Sequence, residues 1–95
     1  MKETVVEKYL RTQCLENGFL CYKFVSPANR GVPDRIIIGH GFVFFVELKA
    51  PGCKPRRLQE VVIERIKNHG AEIFVIDSKE GVDALLKEFL TRGES

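Results

Sequence analysis

The chain has 95 residues, of which 44% are hydrophobic and 29% charged, with a formal net charge of +2. That length supports one packed interior and no second core, and so mild a charge does not by itself argue for a nucleic-acid partner. The three cysteines, Cys14, Cys21 and Cys53, are an odd number at spacings that match no zinc pattern, so neither a disulfide scaffold nor a structural zinc is expected.

A reducing, intracellular setting is the simpler expectation. Lys2, Glu3, Glu7 and Lys8 break any apolar leader at the start. No apolar run approaches the roughly 18 residues that a membrane span needs.

In chain order, Glu3 to Glu16 carries Val5, Val6, Tyr9, Leu10 and Cys14 at helical spacing, which predicts a first helix. Thr4 and Glu7 fit a capping box, and Gly18 fits the residue just past the C-terminus. Phe19 to Val25 is β-prone, and Ser26 to Gly31 reads as a loop. Asp34 to Gly39 and Phe42 to Ala50 form two strands around Gly39-His40-Gly41, a tight hairpin by composition. Phe42 to Val46 is apolar on both sides, so that strand is expected at the centre of the sheet, covered on both faces.

Pro51-Gly52 ends it. Arg56 to His69, with Leu58, Val61, Val62 and Ile66 as its apolar face, predicts a second helix closed by Gly70. Glu72 to Ile76 is a fourth strand reached by a crossover. Asp77 or Ser78 then caps a last helix, about 79–91, leaving a frayed tail from Thr91 to Ser95. The order is α-β-β-β-α-β-α, an α/β chain with a mixed four-stranded sheet flanked by helices, in one domain over 1–95 with its core at about 3–77.

The chemistry lies in Gly31-Val32-Pro33-Asp34 and, twelve residues on, Glu47-Leu48-Lys49. Side chains alternate along a strand, so Glu47 and Lys49 project from one face, and the hairpin returns them beside Asp34. Two carboxylates and an ammonium then converge among apolar flanks, where a merely solvated charge run is out of place. Two carboxylates and a backbone carbonyl make the oxygen-rich site that Mg²⁺ or Mn²⁺ prefers. The bland alternative is a structural ion pair.

These segments resemble the PD-(D/E)xK nuclease superfamily, with Pro33-Asp34 and Glu47-Leu48-Lys49 in the motif positions. Within it, Gly31-Val32-Pro33-Asp34, Val46 to Pro51, Gln59 and Gly70-Ala71-Glu72 are similar to the VRR-NUC (virus-type replication-repair nuclease) family, and the chain is also similar to Holliday junction resolvases. The resemblance runs from Glu3 to about Ile76 and implies a restriction-endonuclease-like core. It implies that Asp34, Glu47 and the Leu48 carbonyl hold Mg²⁺ or Mn²⁺, and that Lys49 serves the nucleophile. It also implies that Glu7 reaches the site from the first helix and that Gln59 supports it from the second. The implied activity is DNA endonuclease, acting on branched double-stranded DNA such as four-way junctions. The implied assembly is a homodimer, with a monomer that nicks flaps or single strands as the alternative, in a phage-encoded protein of the host cytoplasm, with no membrane and no small-molecule cofactor.

Plainer readings stand beside these. Glu7 is equally the second half of a capping box, and Gln59 an exposed helix residue near an apolar face. His40 and His69 sit at a turn and a helix end, where solvation is the ordinary state. Lys54, Arg56 and Arg57 follow the proposed site without an intervening acid and lead into a helix N-terminus, which favours phosphate contact over a solvated loop. Arg30 and Arg35 flank the site on its other side as further DNA contacts. A double-stranded RNA-binding module shares the helix-three strands-helix order, but has no use for two inward carboxylates. A nuclease fold that binds without cutting is argued against by the intact Asp34, Glu47 and Lys49.

Overall fold

The computed structural model describes residues 4–94 in full and the backbone of Glu3. Its elements are α1 (Glu3–Glu16), β1 (Leu20–Lys23), β2 (Arg35–Gly39), β3 (Phe42–Leu48), α2 (Arg57–Asn68), β4 (Ile73–Ile76) and α3 (Lys79–Gly93). The expected order and element types hold throughout. The strands stand in the order β1-β2-β3-β4, antiparallel except for the parallel β3–β4 pair that the α2 crossover permits.

Local signals explain the joints. Past the end of α1, Gly18 takes φ +79° while Phe19 N–H reaches back to the Cys14 carbonyl at 2.8 Å, a Schellman closure. His40 and Gly41 both take positive φ between the paired residues Gly39 and Phe42, the primed two-residue turn that matches strand twist. Ser78 Oγ accepts from Gly81 N–H at 3.0 Å and so caps α3.

Alternation divides the sheet. On one face Ile37, Phe44, Val46 and Leu48 meet Val6, Leu10 and Cys14 of α1 and Val82, Leu86 and Phe89 of α3. Phe44 stacks on Phe89 with ring centroids 3.9 Å apart, and Phe74 meets both rings edge-on. Among the described residues, the helix over the other face is α2, which buries Ile63 and leaves Leu58 and Val61 exposed.

Four expectations need correction. The apolar face of α2 lies one position round from the expected one: Gln59, Val62, Ile63 and Ile66 turn inward, while Leu58 is 50% exposed. β3 is central but not covered on both faces along its length, since Val43 near the hairpin is 56% exposed. Thr4 lies inside α1 rather than at its cap, and the Glu7 carboxylate is engaged by Arg35, so no Thr4–Glu7 capping box forms. Thr91 to Gly93 belong to α3 instead of a frayed tail; Arg92 binds both Glu72 oxygens at 2.9 Å and Glu88 at 3.1 Å, tying that turn down. Ser95 falls outside the described residues.

Candidate active site

The site forms where the β2–β3 hairpin meets the N-terminus of α2. Asp34 directly precedes β2. Its carbonyl accepts from Phe24 N–H at 2.9 Å, which prolongs the ladder, and its Oδ2 accepts from Leu48 N–H at 2.8 Å. That second bond pins the Asp34 carboxylate across the hairpin, beside the residue that follows Glu47. Lys49 N–H continues the parallel pairing by donating to the Ile76 carbonyl at 2.9 Å.

Glu47 is 1% exposed and is the buried charged residue of the interior. Its Oε2 accepts from Gln59 Nε2 at 2.6 Å and lies 3.1 Å from Lys49 Nζ. Gln59 reaches it because it is the third residue of α2. Its own Oε1 accepts from Arg56 N–H at 3.0 Å and satisfies a helix-end donor. That bond fixes the amide's sense: the oxygen serves the helix, so the NH₂ must face Glu47.

The other oxygen of Glu47 is the anomaly. Oε1 is buried and has no hydrogen-bond partner among the described residues. The Asp34 carboxylate, held beside it by Leu48 N–H, is near enough for its charge to act on Glu47. Burial, and then the neighbouring Asp34 charge, push the Glu47 carboxyl up to about 7, with Lys49 pulling the other way. A buried, unpartnered oxygen beside a second acid is costly for the protein alone. A small cation shared by both carboxylates relieves both costs, so the donor set fits Mg²⁺ or Mn²⁺. Such ions are commonly held by one or two carboxylates and complete their shells with water and substrate phosphate.

Asp34, Glu47, Lys49 and Gln59 are thus brought together as expected. Glu7 is not: its Oε2 takes a 3.0 Å bond from Arg35 Nε, and no group of three or more acidic, His or Cys side chains converges among the described residues. Arg35, expected on DNA, turns toward α1 with its side chain only 13% exposed. Arg30, in the loop before Asp34, and Lys54, Arg56 and Arg57, at the entry to α2, are exposed.

Sequence reasoning missed the capping role of Gln59, although a glutamine opening the stripe Val62-Ile63-Ile66 was a readable signal. It also missed a groove of about 610 Å³ between α2 and the Ser26 to Val32 loop, floored by Phe24 and Phe45.

The chain is 41% identical over 81 residues to a protein of Acyrthosiphon pisum secondary endosymbiont phage 1 described as "Putative nuclease p44", covering 84% of this chain and 87% of that one. A solved structure described as a VRR_NUC domain superposes with a TM-score of 0.84 at 34% identity, covering 92% of this chain and 96% of that one. No family model matches the chain.

Proposed function

We propose that this chain, which belongs to the VRR-NUC family of nucleases, is an Mg²⁺- or Mn²⁺-dependent endodeoxyribonuclease that cuts branched DNA. The observation that carries this reading is the buried, unpartnered Glu47 Oε1 beside Asp34, with Lys49 and Gln59 holding the other oxygen. Asp34 and Glu47 would hold the ion, helped by the Leu48 carbonyl. When bound, it supplies the positive charge that offsets charge building on a scissile phosphate and acidifies water.

The chain's own residues do the rest. Gln59, anchored through Arg56 N–H, holds one oxygen of Glu47 and leaves the other free, so that it would be available to an ion. Lys49 keeps an ammonium at the edge of the pair, placed to orient the attacking water and to stabilise a pentacovalent phosphorane. Arg30, Lys54, Arg56 and Arg57 take the DNA backbone. We read Glu7 as a positioning partner of Arg35, not as a ligand.

The substrate follows from size and symmetry. One chain carries one such site, and a two-fold dimer sets two identical sites against two equivalent strands of a four-way junction. The sheet face beyond α2 offers a surface for that pairing: Leu20, Ile38 and Val43 form a row across three strands, and Leu20, Tyr22 and Val43 are each at least half exposed. The relative's phage source supports action in the cytoplasm of a phage's host.

The test is incubation of the protein with labelled linear, flap and four-way DNA, with Mg²⁺, Mn²⁺ or chelator, and light scattering at micromolar concentration alongside. Paired cuts in the junction by a particle of twice the chain mass are expected. A monomer that nicks flaps or single strands in preference overturns the junction reading. Binding without cutting in either metal overturns the enzyme.

A further inference from the structure

The groove between α2 and the loop before Asp34 has no part in the chemistry above, yet it begins where the site ends. Its floor residue Phe45 lies two positions before Glu47 on the same face of β3, a separation of about 7 Å. Its wall residue Leu58 immediately precedes Gln59. On the opposite side, Gly31 takes φ +84° and passes so close to α2 that a Cβ there would meet Val62 at 3.1 Å and the Leu58 carbonyl at 3.2 Å. The short segment Val32-Pro33 then delivers the chain to Asp34. One strand, one helix end and one loop therefore build both the carboxylate pair and the groove.

The chemistry of the groove is specific. Phe24 and Phe45 pack with ring centroids 5.2 Å apart and planes tilted by 56°, leaving apolar ring surface at its base. Leu58 lines one wall and is half exposed, although it is a large aliphatic side chain. Arg30 and Arg65, both exposed, line it from the loop and helix sides, so an apolar slot has an arginine on each bank. A flat, weakly polar ring attached to anionic groups matches that distribution, and phosphates flank every nucleobase. Arginine planes and aromatic faces are the side chains that take up unstacked bases.

We propose that this groove receives one unstacked nucleobase of the substrate strand, adjacent to the scissile phosphate, a proposal that rests on the nuclease reading above. A base inside continuous duplex must be unpaired and unstacked to enter, whereas a base at a branch point has already lost much of that stacking. The groove therefore selects branched over linear DNA by the cost of supplying the base, with no sequence readout. It also fixes register, because a base held over Phe45 sets its own phosphate beside Glu47.

The test leaves the protein's fold untouched by changing the DNA. Four-way junctions carrying a single abasic nucleotide, stepped through the positions around the cut, are titrated against the Glu47→Gln protein. One position should weaken binding about fivefold or more, and its neighbours little. With 5-iodouracil at that position, irradiation should link the DNA to a peptide containing Phe24 or Phe45. The same crosslink is sought with a single-stranded oligonucleotide, which needs no cleavage. Leu58→Lys, at a half-exposed site, should weaken binding to intact junction while leaving the abasic junction unaffected.

Equal affinity for all abasic junctions overturns the proposal, as do crosslinks confined to other peptides. A groove filled instead by a second copy shows as a Leu58→Lys protein of half the mass with no abasic sensitivity in the parent, and this also overturns it. Cleavage of unmodified junction by the parent protein, run in parallel, reports on the nuclease reading alone: cutting without abasic sensitivity removes the groove and keeps the enzyme.

Discussion

Replacing Glu47 with glutamine should make the metal-free protein more stable at alkaline pH. The carboxyl is pushed up to about 7 in the fold, against an ordinary 4.5, because it is buried beside Asp34. The folded state therefore binds this proton more tightly than the unfolded chain does. On this group's account, stability is greatest below pH 4.5, declines as pH rises, and is fully reduced above about 7. At about 1.4 kcal/mol for each pH unit, the reduction is roughly 3 kcal/mol.

Glutamine has nearly the shape of the protonated acid, so the two proteins should match near pH 4.5 and diverge upward. The attraction of Lys49 at 3.1 Å is already contained in the net value of about 7, so the gain is what remains after it. A net of about 1 to 3 kcal/mol in a domain this size is a rise in Tm of roughly 10 °C at pH 8. Circular dichroism melts in chelator between pH 4.5 and 8 measure it. Adding Mn²⁺ should stabilise the parent and not the variant, since only the parent gains a ligand of the native state. A stability difference that does not change with pH would mean that the Glu47 carboxyl is not held protonated by its burial beside Asp34.

Three further outcomes follow from the same geometry. Lys49→Ala should abolish turnover while calorimetry still detects Mn²⁺; lost metal affinity would recast Lys49 as part of the ion's support. Gln59→Leu should lower cleavage about 10- to 100-fold, because it frees the Glu47 carboxylate as well as the Arg56 N–H, and unchanged kcat would remove Gln59 from the site. Lys54→Glu combined with Arg57→Glu should lower the slope of log affinity against log salt by about two, and an unchanged slope would mean that this loop faces away from DNA.

The carboxylate pair and its lysine were legible because strand alternation and a two-residue hairpin leave their placement little freedom. What alternation also implied, but residue type obscured, is the course of Arg35. It follows Asp34 and so points to the opposite face, toward α1 and Glu7, although a basic residue beside the motif invites a DNA reading. The α2 face was misjudged by one position because Leu58 and Val61 are as apolar as Val62 and Ile63. Only the fold shows that the first two line a groove. The uncovered row of Leu20, Ile38 and Val43 was invisible for a different reason. It exists because a single twelve-residue helix cannot cover one side of a four-stranded sheet, a matter of extent rather than of sequence pattern.

The decisive question is whether the Asp34–Glu47 pair holds an ion that drives phosphodiester cleavage. The most direct measurement is the cleavage rate of a labelled four-way junction by the parent and by Glu47→Gln, each in Mn²⁺ and in chelator. Cutting is expected only from the parent and only with metal, with the variant slower by at least about a hundredfold yet binding the junction as well. Cutting that survives chelator, or that Glu47→Gln performs at the parent's rate, would contradict that expectation.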